Sequence, residues 1–376
     1  MDEQYMKQAL DLAEKAAGRT SPNPVVGAVI VRDGRIVGRG WHKQAGTPHA
    51  EIHALHEAGE LAQGATIYVT LEPCSHHGRT GPCTDALIKA GIGKVVAAIS
   101  DPNPLVAGQG LDKLRSAGID VVDGVLPGQA AKLNETFIKW ITCKMPFGVL
   151  KTAMTLDGKI ATHAGHSQWI TSHAARQRVH LLRDRYDAIL VGIGTVLADD
   201  PQLTTRLPEG GKNAIRIIAD SMARTPLTAK VVNDGQAHTI IAVSSEAPKE
   251  KISALQDKGV EILTIASSTE GVDLRQLFKT LGEKGITSIF IEGGAKINAA
   301  ALAANLVDKV YWFIAPKIIG GHAAPGPVGG LGAKLLDDAI QLEDINTEYV
   351  GEDILISAYL RQREGRDVYR TCGRIG

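Results

Sequence analysis

A histidine, a glutamate and two cysteines, set between positions 49 and 83, constrain this chain more than any other feature. Pro48-His49-Ala50-Glu51 is followed by Thr70-Leu71-Glu72-Pro73-Cys74 and then by Pro82-Cys83. A catalytic zinc takes three protein ligands of nitrogen or sulfur and leaves a fourth position to water. With His49, Cys74 and Cys83 as those ligands, the fold must carry three distant points of the chain to one ion. The residue types match a site in which activated water attacks an amino-bearing ring carbon. Metal coordination lowers the pKa of bound water toward ~7. Glu51, beside His49, is placed to take that proton and pass it to the ring and the leaving amine. His49 and Cys83 both fall at expected helix starts, where the helix dipole favours the thiolate form that binds metal. Two other arrangements stay open from the residues alone. One is a closed structural site with His76 or His77 as fourth ligand; the other uses His53 and His56 at helical spacing.

A chain of 376 residues exceeds one ordinary core, so two domains are expected, 1–145 and 146–360, with a polar tail over 361–376. The tail carries five arginines and Cys372 and is expected to be disordered. The 41 basic and 41 acidic side chains cancel, leaving no net field toward nucleic acid or an anionic membrane. Aromatics at 4% give few platforms for stacking a single strand. Hydrophobic and charged fractions of 44% and 22% are those of a soluble globular protein. The amphipathic N-terminus reads as a helix, not a signal peptide, and no apolar run is long enough to span a bilayer. Four cysteines make no disulfide framework, which points to the cytoplasm; Cys143 is expected as a buried thiol.

Periodicity predicts a helix over Tyr5–Ala17 closed by Gly18, then strands over Val25–Val31 and Arg35–Gly40 around an Asp33-Gly34 hairpin. Thr47 and Pro48 suit the cap and first position of a helix running to Gly59. ATIYVTLE, KVVAAIS and IDVVDG read as strands, with helices from Pro82 to Gly91 and from Gln129 to Thr142. The order αββαβαβαβ means a sheet with helices on its faces. After Met145, GVLKTAMTLDGKIAT reads as strand and turn. A basic helix follows over Ser172–Tyr186, capped by Thr171 or Ser172. The strands AILV, IRIIADS, HTIIAVSS, VEILTIA, TSIFI and KVYWFIA follow, and a last strand ends at Leu360. The glycine-rich stretch Gly321–Gly332 is expected to be a mobile loop. Two glycine turns, Gly192–Thr195 and Glu292–Gly294, each lie between a strand and a helix, where backbone N–H groups hold anions. Neither is G-x-G-x-x-G, so no Rossmann domain is assigned.

The segments PNPVVGAVIV, GWHKQAGTPHAE, TLEPCSHHGRTGPC and DPNPLVAGQG resemble the N-terminal half of the bifunctional deaminase/reductase family of bacterial riboflavin biosynthesis. Eight residues separate Cys74 from Cys83, as in that family; cytidine and tRNA adenosine deaminases have two between their cysteines. KTAMTLDGKIAT, SQWITS, VGIGTVLADDPQLTTR, IEGG and APKIIGG resemble, in order, the C-terminal half of the same family. The resemblance implies an α/β fold: a cytidine-deaminase-like α/β/α domain followed by a dihydrofolate-reductase-like α/β domain. It implies zinc-dependent deamination of 2,5-diamino-6-(5-phosphoribosylamino)pyrimidin-4-one. NADPH-dependent reduction of the ribosyl group of 5-amino-6-(5-phosphoribosylamino)uracil to ribityl would follow.

Carried over by position, His49, Cys74 and Cys83 would bind Zn2+ and Glu51 would be the proton donor and acceptor. Ala153, Trp169, Thr195, Asp199, Ser221 and the segment Gly294, Ala295, Lys296, Ile297, Asn298, Ala299 and Ala300 would line the NADPH site. Ser167, Arg183, Leu203, Arg206 and Glu292 would bind the phosphoribosylamino substrate, with the guanidinium forks of Arg183 and Arg206 suited to its phosphate. Asn23, His42, His76, Asp101 and Asn103 are polar loop residues proposed to contact ring or ribose phosphate, and Lys151 and Asp157 are further candidates. Small-molecule substrates are the expected partners, with no nucleic acid and no membrane, in a homo-oligomer, dimer or tetramer. The alternative is a nucleic-acid base deaminase with an accessory C-terminal binding domain.

Overall fold

The run Ala28-Val29-Ile30-Val31 has apolar side chains on both faces, so the strand it forms must be covered on both sides. A computed structural model describes residues 1–76, 81–103, 106–268 and 271–361. Two compact units emerge, Met1–Lys144 and a second that begins at Met145.

In the first unit, α1 (Asp2–Glu14), α2 (Ala50–Ala58), α3 (Cys83–Lys89), α4 (Gln109–Ser116), α5 (Pro127–Leu133) and α6 (Glu135–Cys143) accompany five strands. These are β1 (Gly27–Arg32), β2 (Arg35–Trp41), β3 (Thr66–Val69), β4 (Lys94–Ala97) and β5 (Asp120–Val122), in the order β2-β1-β3-β4-β5. β1 runs antiparallel to β2 and β3, whereas β3, β4 and β5 are parallel. Two glycines of β2 set the position of α2. A Cβ on Gly40 would lie 2.1 Å from the Ala50 carbonyl oxygen, and one on Gly38 2.2 Å from that of Ala54. Only glycine lets the helix backbone rest on the strand, and that contact fixes where His49 and Glu51 sit.

Four local expectations are corrected here. The second helix starts at Ala50 with His49 as its N-cap, two residues after Pro48. The Thr47 hydroxyl is spent on a turn, donating to the Gln44 carbonyl at 2.6 Å, so Thr47 does not cap α2. The single helix expected over Gln129–Thr142 is two, α5 and α6, broken at Asn134. The buried Asn134 amide accepts from Val25 N–H at 2.9 Å and donates to the Val25 carbonyl at 3.0 Å. This bond also explains why β1 begins at Gly27 and not Val25. The first helix ends at Glu14, and turns carry the chain on to Gly18, whose φ is +75°.

The second unit is built on β6 (Phe147–Thr155), β7 (Ala188–Gly192), β8 (Ile215–Ala219), β9 (Thr239–Val243) and β10 (Glu261–Thr264). Two-residue strands β11 (Ser267–Ser268) and β12 (Gly271–Val272) form a separate pair, followed by β13 (Ser288–Ile291), β14 (Lys309–Ala315), β15 (Leu342–Val350) and β16 (Asp353–Leu360). Its helices are α7 (His173–Arg185), α8 (Ile193–Asp199), α9 (Lys230–Asn233), α10 (Lys249–Gln256), α11 (Leu274–Glu283) and α12 (Ala295–Ala303). Nine strands share one sheet, ordered β10-β9-β8-β7-β13-β6-β14-β16-β15. The sheet is parallel from β10 to β14, and β16 and β15 close it antiparallel. Because β6, β13 and β7 are parallel neighbours, the chain leaves all three at one edge. Thr155, Ile291 and Gly192 therefore deliver the segments that follow them to a common side, where open α/β sheets bind ligands.

Ser172 caps α7, accepting from Ala175 N–H at 3.2 Å. The stretch Gly321–Gly332 has no regular structure, but it is anchored at several points. Pro325 O accepts from Ile160 N–H at 3.0 Å, Ala324 O from Lys159 Nζ at 3.1 Å and Pro327 O from Asn298 Nδ2 at 2.8 Å. Cys143 is exposed rather than buried, at the last position of α6. The tail with Cys372 lies outside the described residues. Among the described residues no helix is long and apolar enough to cross a membrane.

Replacing Asn134 by alanine strands both backbone groups of Val25. The expected cost is about 2 kcal/mol of stability, read as a lower denaturant midpoint of the full chain.

Candidate active site

His49 caps α2, Cys83 opens α3 and Cys74 sits in the loop after β3, so three chain ends meet at one point. His49 Nδ1 lies 3.3 Å from Cys83 Sγ and 3.5 Å from Cys74 Sγ. These donor atoms all fall within 4.8 Å of one another. Ligands on a tetrahedral zinc are separated by roughly 3.5 Å, so the trio fits that ion. Among the described residues it is the one group of three or more His, Cys, Asp or Glu donors so arranged. His53, His56 and His76 are not in it, and His77 lies outside the described residues.

Hydrogen bonding from Cys83 lowers the Cys74 pKa to about 4, and the same bond, with burial, pushes Cys83 up. His49 is raised, first by its hydrogen bond to Cys74. A divalent cation would hold both sulfurs as thiolates. Glu51, one residue into α2, is only 3% exposed, and burial raises its pKa. Its Oε2 is buried without a hydrogen-bond partner. An orphaned acceptor of this kind beside three metal donors is what a proton shuttle needs.

His42 is buried, its ring 5.3 Å from that of His49 and edge-on to it. Its Nδ1 meets the Pro48 carbonyl at 3.3 Å, which puts the proton there and leaves Nε2 to accept from Asn23 Nδ2 at 3.4 Å. Burial lowers the His42 pKa, which favours this neutral form. Asp101 and His76 line a cleft with Cys74, and Asn103 N–H donates to Asp101 Oδ1 at 2.8 Å. Burial raises the Asp101 pKa. Glu72, which the sequence reading passed over, also lines this cleft. Its one visible signal was a carboxylate set between Leu71 and Pro73 on a buried strand exit.

The second unit gathers charge around Glu292, just past β13. Arg183 Nε and Nη2 donate to its two oxygens at 2.6 and 3.0 Å, and Lys151 Nζ lies 3.9 Å away. Burial would raise Glu292, but the Arg183 charge and hydrogen bond more than offset it and hold the carboxyl low. Burial lowers Lys151. The Arg183 fork, expected to face a phosphate, is thus occupied by Glu292, with Nη1 on the Thr204 carbonyl at 3.0 Å. Arg206 Nη1 reaches Gln202 and Thr204, and its backbone N–H donates to His180 Nδ1 at 3.3 Å. His180 was not foreseen, although it sits one turn before Arg183 on α7. Burial and the two arginines lower its pKa to about 4, so it is neutral at pH 7. Leu203 is buried with φ +52°, a strained backbone for a branched residue and a mark of a shaped loop. Three cations against one carboxylate leave this cluster positive.

Gly192 and Gly293 press on Ile297, where a Cβ would come within 2.7 Å of its side chain, whereas Gly194 and Gly294 face open space. Asn298 is buried and holds Pro327, and the Ala295 carbonyl accepts from Gly329 N–H at 3.0 Å. Ala153, Ser167, Thr195, Ser221, Ala299 and Ala300 are partly buried, and Lys296 and Asp199 are exposed. Trp169 is 63% exposed, with the Arg176 guanidinium stacked 4.6 Å from its ring, so it is no core residue. Asp157 is held by Thr155 Oγ1 at 2.6 Å and by Gly320 N–H at 2.7 Å, which brings its pKa to about 2. It fastens a loop.

The family model described as "RibD C-terminal domain" matches residues 146–356, and "Cytidine and deoxycytidylate deaminase zinc-binding region" matches residues 1–99. Riboflavin biosynthesis protein RibD of Actinobacillus pleuropneumoniae is 46% identical over 355 residues, 94% of each chain. The structure of Acinetobacter baumannii RibD superposes with a TM-score of 0.87 at 40% identity, over 96% of this chain and 99% of that one. A Thermotoga maritima structure named diaminohydroxyphosphoribosylaminopyrimidine deaminase/5-amino-6-(5-phosphoribosylamino)uracil reductase gives 0.85 at 40% identity, over the same shares.

Purified chain should hold about one zinc, and Cys83→Ala should hold almost none by elemental analysis, since one of three ligands is gone. Glu292→Gln should cost about 3 kcal/mol at neutral pH, because it leaves the largely buried Arg183 charge without its carboxylate counter-charge. Glu292 has a depressed folded pKa, so its contribution is present above the usual ~4.3 and lost as pH falls through the folded value. Urea titrations across that range should show wild type and variant converging in acid.

Proposed function

The chain belongs to the RibD family of riboflavin biosynthesis proteins, and on that premise we propose how its residues carry the two activities. It is a bifunctional deaminase and reductase, with a zinc-binding deaminase domain followed by a reductase domain. The observation that carries the residue assignment is the buried, unpartnered Glu51 oxygen beside the His49, Cys74 and Cys83 donors.

His49, Cys74 and Cys83 hold the zinc, which when bound makes a water acidic near neutral pH. Glu51 accepts a proton as the water oxygen bonds to the amino-bearing carbon of the pyrimidine. It returns that proton to the ring nitrogen, then carries the second to the amine. The carbon–nitrogen bond breaks, ammonia leaves and a carbonyl remains. The raised pKa of Glu51 suits a group that must both accept and donate within one turnover. Neutral His42 with Asn23, and Asp101 with Asn103 and His76, are hydrogen-bonding groups for the phosphoribosylamino-pyrimidine.

In the reductase domain the substrate sugar gains a hydride at the carbon bonded to nitrogen, and its ring oxygen takes a proton, opening ribosyl to ribityl. NADPH is the proposed donor. The open backbone at Gly194 and Gly294, with Thr195 and the first turn of α12, suits its phosphates. The positive cluster suits the substrate phosphate through Arg206, while Arg183 acts by holding Glu292. Lys151 is an ammonium destabilised by burial and so a ready proton source near the sugar. The substrates are proposed to be the two compounds in the Thermotoga maritima protein's name.

Mass spectrometry of products from the diaminopyrimidine substrate should show the deaminated compound alone without NADPH and the ribityl compound with it. Product that stays reduced but not deaminated, or NADPH that is never oxidised, contradicts the reading. Glu51→Gln should lower deamination about 10³-fold while zinc content and reduction of deaminated substrate stay at wild-type levels.

A further inference from the structure

We propose that Glu72 is a positioning residue of the deaminase site, acting by clamping the chain that presents Asp101 and Asn103 to the cleft beside Cys74. The inference rests on the deaminase reading of that cleft.

Glu72 is 5% exposed, and both oxygens of its carboxylate are used. Oε2 accepts from Asp101 N–H at 2.8 Å and from Gly108 N–H at 2.9 Å. Oε1 accepts from Gly110 N–H at 2.7 Å and from Leu111 N–H at 3.4 Å. One side chain thus ties the segment after β4 to the first turn of α4, although Glu72 itself lies 38 residues before Gly110 in the chain. Gly108 is the N-cap of α4 and has no side chain to satisfy the orphan N–H groups that follow it. Glu72 supplies that cap from the segment after β3, and its charge suits the positive end of the helix. The approach is close: a Cβ on Gly110 would sit 2.1 Å from the Pro73 carbonyl oxygen and 3.0 Å from Glu72 Oε1.

The clamp reaches the cleft through Asp101. Its backbone N–H is held by Glu72, and its carboxylate accepts from Asn103 N–H. Asp101, His76 and Cys74 line the same cleft. A carboxylate is required, because the four N–H groups need two acceptors and no donor. A glutamine keeps one oxygen and turns an N–H against one of the two pairs, releasing either Asp101 or the start of α4. Since the Glu72 carboxylate is spent on these four N–H groups, its loss should loosen substrate binding and leave the zinc in place.

The test is steady-state deamination by the full chain carrying Glu72→Gln, with Glu72→Asp, whose shorter carboxylate does not reach both pairs of N–H groups, as a second route to the same clamp. Both should raise KM about tenfold or more, change kcat by less than about threefold, and retain zinc and wild-type reduction of deaminated substrate. Glu72→Asp gives the answer if Glu72→Gln does not fold. Zinc loss in the folded variants, a fall in kcat at unchanged KM, or unchanged kinetics would each overturn the proposal. A wild-type chain that does not deaminate in the same assay would instead remove the reading beneath it.

Discussion

Burying a carboxylate and two thiols beside a histidine is costly, and the first unit is organised around making that burial tolerable. Each group is delivered by a backbone terminus: His49 as the N-cap of α2, Cys83 as the first residue of α3, Cys74 at the exit of β3. Helix N-termini supply partial positive charge to the thiolates and to Glu51. The placement of α2 depends in turn on Gly38 and Gly40, since any side chain there would lift the helix from β2 and carry His49 away from the sulfurs. The site is therefore a property of how closely one helix can approach one sheet.

The second unit solves a related problem with paired charges. Glu292 is buried because Arg183 meets it with two hydrogen bonds, and Arg183 is aligned because α7 is capped by Ser172 and tied to Asp353, whose Oδ2 accepts from Ser172 N–H at 2.8 Å. A buried ion pair adds little net stability, but it fixes geometry. Here it holds α7, the Thr204 carbonyl and the exit of β13 in one arrangement. Arg206 and Lys151 add positive charge at the sheet edge where the glycine turns lie open.

Most elements were legible from periodicity, because burial on one face or both leaves its pattern in the chain. The errors share a cause. Thr47 and Pro48 look like a helix start, but the Thr47 hydroxyl closes a turn on Gln44. Gln129 to Thr142 reads as one helix because nothing local shows that the Asn134 side chain is engaged by Val25, more than a hundred residues away. Cys143 was expected inside, as free thiols often are, but it ends α6 exposed.

By itself the sequence determined the chemistry available: two cysteines, a histidine and a neighbouring glutamate in a spacing that suits a water-activating zinc site, and glycine turns between strands and helices. Those are properties of residue type and local spacing. The tertiary structure alone decided that His180 stands beside Arg206, that Arg183 belongs to Glu292, and that Glu72 grips the far side of the cleft. Such pairings join positions distant in the chain through single hydrogen bonds. A hydrogen bond between distant residues leaves no periodic trace, so it becomes visible only once the backbone has brought donor and acceptor together.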